Sequence, residues 1–126
     1  MKKFAILFAA GALLGAVHFA LAHEGHEDGN EEKAEAQTIK GEIVDLMCYI
    51  DHGAMGEKHA DCATVCIKSG GPVGIVTSDG EAYLVIGQHE PINKQLIPFA
   101  GKTITLKGKV VERGGMRMIE NSEIVK

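Results

Sequence analysis

After Met1-Lys2-Lys3 the chain is almost wholly apolar from Phe4 to Leu21, closes on Ala20-Leu21-Ala22, and turns polar at His23-Glu24-Gly25-His26-Glu27-Asp28. A positive start, an apolar run and a small-x-small ending are the order of a secretory signal. The run approaches the roughly 17 to 20 apolar residues that span a bilayer. Its Ala-x-Ala ending, with no positive charge just beyond it, favours cleavage over anchoring. Residues 1–22 are therefore expected to be a signal peptide, with His23 as the mature N-terminus. The expected location is periplasmic or secreted, with no membrane attachment after cleavage. Residues 23–37 hold five Glu, one Asp and two His without a large apolar side chain. Such a segment buries too little surface to order itself and reads as a disordered acidic, histidine-bearing tail.

From residue 38 to 126 the apolar positions recur with the periods of regular structure. Ile39, Ile43, Val44, Leu46 and Met47 form a β-rich stretch with Gly41 as a bulge or bend. Glu57 to Ser69 carries good helix formers and stops at Gly70-Gly71-Pro72. Val73 to Thr77 and Ala82 to Ile86 flank Ser78-Asp79-Gly80-Glu81, whose Asp-Gly marks a hairpin turn. Pro91 to Phe99 spaces Ile92, Leu96 and Ile97 as a short helix does. Thr103 to Val111 alternates, Gly114-Gly115 turns the chain into Met116 to Ile119, and Ser122 to Val125 completes an edge.

Five strands with a helix between the third and fourth is the order of the OB-fold. The segment from Gly101-Lys102-Thr103-Ile104 through Lys109-Val110-Val111, Gly114-Gly115 and Met116-Arg117-Met118-Ile119 resembles the last hairpin of small bacterial periplasmic OB-fold proteins. The resemblance covers roughly Thr38 to Lys126. It implies a mainly β fold, a small five-stranded OB-like barrel with a short helix between strands 3 and 4. The cysteine-bearing helix is an insertion between strands 1 and 2, where the simplest OB domain has a loop. A fold so widely used does not define a function, so the insertion is where function is sought.

Charge and composition narrow the classes. Without residues 1–22 the 13 basic residues become 11 against 17 acidic ones, a net charge near −6. An acidic domain with few aromatic residues offers neither the basic face nor the stacking platforms that nucleic acid needs. Ser69, Ser78 and Ser122 lack a nucleophile-elbow context, and no carboxylate pair, Gly-x-Gly-x-x-Gly or Walker sequence stands out. The chain carries no legible catalytic constellation.

Three cysteines, Cys48, Cys62 and Cys66, cannot all pair within one molecule. On a helix begun near Glu57, His59, Cys62 and Cys66 project from one face, being three and four residues apart. Cys48, read as the end of the first strand, could reach that face as a fourth ligand. A Cys3His set suits zinc, and soft thiolates with imidazole also suit copper(I). The expected cofactor is thus a zinc or copper ion on Cys48, His59, Cys62 and Cys66. His52, in the glycine-rich approach to the helix, is a weaker candidate, as are His23 and His26 on the tail, where a terminal amine and imidazoles suit copper(II).

Two alternatives stay open. A disulfide from Cys48 to Cys62 or Cys66 would staple the inserted helix in a non-catalytic module that binds a protein partner. A thiol-redox protein would instead place its reactive cysteine at a helix start. The latter is weakened here because Cys62 is read as about a turn and a half inside its helix.

Overall fold

The computed structural model describes residues 35–125. The expected signal peptide and the tail up to residue 34, with His23 and His26, lie outside the described residues. Five strands close a barrel in the order β1-β2-β3-β5-β4. They are β1 (Gln37–Asp45), β2 (Val73–Val76), β3 (Ala82–Val85), β4 (Thr103–Arg113) and β5 (Met116–Ile124). Neighbours are antiparallel except β3 and β5, which run parallel through Leu84↔Met118 and Val85↔Ile119. The molecule is a mainly β, OB-like mixed barrel with a few short helices. Among the described residues no helix is long and apolar enough to cross a membrane.

Alternation puts one side of every strand inside. Ile43, Val73, Ile75, Tyr83, Val85, Leu106 and Ile119 come from all five strands into one buried cluster. Ile92, Leu96 and Ala100, from the connection between β3 and β4, join it. β1 serves two partners: its first part pairs with β4 and its last with β2, Glu42 facing both Thr103 and Val76. Gly41 makes this crossing tolerable, because a Cβ there would run into the Val76 carbonyl. The two hairpins are the ones the sequence announces. Arg113 pairs with Met116 across Gly114-Gly115, both at positive φ (60° and 80°), the backbone a two-residue turn between twisted strands requires.

Helical elements fill the two long connections. Between β1 and β2 lie α1 (Leu46–His52), a 3-10 turn (Glu57–His59) and α2 (Ala60–Lys68). Between β3 and β4 lie α3 (Asn93–Leu96) and a 3-10 turn (Ile97–Phe99). Two readings of the sequence change here. The first strand stops at Asp45 instead of running through Met47, and the helix expected from Glu57 becomes a 3-10 turn followed by α2 from Ala60. At the other end, the segments around Met116 and Ser122 form one continuous strand paired on both sides rather than a separate edge.

Candidate metal centre

Asp45 leaves β1 in an extended conformation, and its Oδ1 accepts the Cys48 N–H at 2.9 Å. A helix start leaves four N–H groups without partners, and a short carboxylate satisfies one of them well. Cys48 is therefore the third residue of α1, not the end of a strand. Leu46 lies on the backbone of β2 at Gly74, where any Cβ would collide with its side chain. This close seat fixes how α1 sits on the barrel. Gly53, at φ 70°, ends the helix, its N–H donating to the Tyr49 carbonyl at 2.8 Å.

α2 brings the other two thiols. Cys62 and Cys66 are four apart and share a face, while Ala63 and Ile67 turn about 100° further round and enter the core. Gly101 lets the start of the helix approach the barrel, since a Cβ there would lie 2.7 Å from that of Ala60. Its far end is tied by Asn93, whose Nδ2 donates to the carbonyls of Ile67 (2.9 Å) and Gly71 (2.8 Å). Cys62 is the third residue of α2, in its first turn, closer to the helix start than the sequence indicates.

These constraints bring the sulfurs of Cys48, Cys62 and Cys66 within 4.8 Å of one another. All three are free thiols; Cys48 and Cys66 are half-buried and Cys62 is exposed. Zinc–sulfur bonds of about 2.3 Å in a tetrahedron set sulfurs about 3.8 Å apart, so small side-chain movements would close the trio on an ion. The three cysteines are positioned to hold a metal ion.

The inner wall of the trio is acidic. Asp45 is 1% exposed, and its Oδ2 has no hydrogen-bond partner. Its carboxylate beside the Cys48 thiol is the largest reason that thiol's pKa is pushed up to about 12, ahead of burial and the neighbouring Cys66. Gly71 shuts the same corner: a Cβ on it would meet Asp45 Oδ2 at 2.6 Å, the Cys66 carbonyl at 2.9 Å and Met47 Cε at 3.0 Å.

The histidines stand differently. The group of donors within 4.8 Å of one another contains the three cysteines and not His59. His59 precedes α2 at its N-cap position, half-buried, with its ring centroid 6.2 Å from that of His52. His52 is exposed, its Nδ1 3.1 Å from Asp51 Oδ2. Asp45 is the residue that sequence reasoning passes over. An aspartate directly after the apolar Ile43-Val44, in a position unfavourable to a strand, was the available signal for a helix cap. No protein-family model, curated protein or solved structure matches this chain.

Proposed function

We propose that this protein binds one thiophilic metal ion, zinc or copper, through the thiolates of Cys48, Cys62 and Cys66, with His59 as fourth donor. The convergence of three free thiols from two separately anchored helices carries the proposal. Cysteines carried on two different helices need several independent contacts to meet, and soft ions are the ligands that thiolates favour. His59 enters by its spacing, three residues before Cys62, although it stands outside the group of three. Export belongs to the same proposal and is supported by the signal-like order of residues 1–22. Kinship with small bacterial periplasmic OB-fold proteins is likewise proposed, on the pattern of the last hairpin.

Intact-mass measurement of the purified protein, native and then denatured with a thiol-blocking label, tests this reading. One zinc or copper per chain, with three labelled cysteines after denaturation, is the expected result. A metal-free mass with a single labelled cysteine would replace the proposal with a disulfide-stapled module. His59→Ala should weaken binding without changing the thiol count; unchanged affinity would remove His59 from the ligand set.

A further inference from the structure

We infer that the ion is exchangeable cargo rather than a structural staple, and that Cys62 is the ligand through which it arrives and leaves. The inference rests on the metal-binding reading above and says what kind of site it is.

Two observations carry it. First, the protein's own contacts hold the helices that bear the thiols. α1 is capped by Asp45 at one end and Gly53 at the other and seats Leu46 on Gly74. α2 buries Ala63 and Ile67 in the core and is tied by Asn93. An ion that served as staple would replace such contacts, as in small domains that fold only with metal. Second, the site is graded from inside to outside. Asp45 is fully buried at its inner wall, Cys48 and Cys66 are half-buried, and Cys62 is exposed. An exposed thiolate is the one that a thiol arriving from solution reaches first, so ligand exchange begins on the Cys62 side.

The acceptor class follows from the ligands: another thiol. In the exchange step the incoming thiol's sulfur bonds to the ion as the Cys62–metal bond breaks. Its proton passes to the Cys62 sulfur, and no electrons change hands. Cys48, Cys66 and His59 keep the ion until two further thiols displace Cys48 and Cys66 one at a time, each passing its proton to the sulfur it replaces, and His59 leaves as neutral imidazole.

Cadmium(II), which shows an ultraviolet sulfur-to-metal band, is the probe. The purified protein is loaded with one equivalent, and amide NMR spectra are recorded with and without the ion. Release to a chelator is then followed at rising glutathione concentration. The loaded protein is also briefly treated with iodoacetamide, and the label is located by mass spectrometry. The metal-free protein should keep the dispersed spectrum of the barrel. A tenfold rise in thiol should speed release about tenfold, because one incoming thiol takes part in the exchange step. Label should fall first on Cys62, with the cadmium band lost in step. A metal-free protein that unfolds, release indifferent to thiol, or first labelling at Cys48 or Cys66 would overturn the inference while leaving metal binding intact. Absence of the cadmium–sulfur band on loading would overturn the metal-binding reading itself.

Discussion

Asp45 does two things at once at the scale of a single residue. One oxygen starts α1, and the carboxylate stands beside the Cys48 thiol and favours its protonated form. Asp45→Asn keeps an oxygen for the cap while removing the negative charge and offering an amide donor to the Cys48 sulfur. Cadmium affinity, measured against a competing chelator, should rise about tenfold or more, because each unit by which the Cys48 pKa falls removes a tenfold proton penalty. A fall in affinity would mean that the carboxylate itself serves the ion. The same pair sets a pH dependence in the metal-free protein. The folded Cys48 pKa is about 12 against an ordinary 9.0. The folded state therefore keeps a proton that the unfolded chain gives up. This contribution to stability is complete below about pH 9, declines above it and is lost as pH rises through about 12. Urea unfolding over that window should show a steeper loss for the metal-free wild type than for Cys48→Ser. Parallel curves would show that the carboxylate does not hold the thiol proton.

The geometry of the site is a property of two short helices pressed closely onto the barrel. α1 spans seven residues and α2 nine, lengths at which isolated helices are marginal in water. Their positions come from contacts: Leu46 over Gly74, Ala60 against Gly101, and Asp45, Met47 and the Cys66 carbonyl around Gly71. Gly71→Ala should cost about 1–3 kcal/mol by overpacking. Because the new methyl would push apart the elements that carry Cys48 and Cys66, cadmium affinity should fall with it. Chemical denaturation and chelator competition on one sample check both effects. Loss of stability with unchanged affinity would show that the thiols adjust independently of this corner. The helical character of the segment after Glu57 was readable from its composition. The start of α1 was not, because Leu46 and Met47 continue the apolar run of β1 and only the capping role of Asp45 divides strand from helix.

For the molecule as a whole, the barrel is the foundation and the cysteine cluster a superstructure. Leu106, fully buried where β4 crosses the core, tests that relation. Leu106→Ala should cost about 2–5 kcal/mol, read by urea unfolding of the metal-free protein. The folded fraction should still bind cadmium with wild-type affinity, since none of the three cysteines belongs to the buried cluster that holds Leu106. A proportionate loss of affinity would mean that core and site are one packing unit. By itself the sequence determined what local physics controls. Alternation marked the strands, Asp79-Gly80 and Gly114-Gly115 placed the hairpins, and strand order with the intervening helices was enough for an OB-like barrel. It also singled out the three cysteines, because their number and helical spacing are visible in one dimension. Tertiary structure alone decided how the barrel closes, through the parallel pairing of β3 with β5, a contact between segments more than 30 residues apart. It also decided that Cys48 rides on a helix, that a buried carboxylate stands behind the thiols, and that the three sulfurs meet while His59 stands outside their group. Each depends on the fit of side chains onto distant backbone, at Gly71, Gly74 and Gly101. Such a fit leaves no periodic trace in the chain.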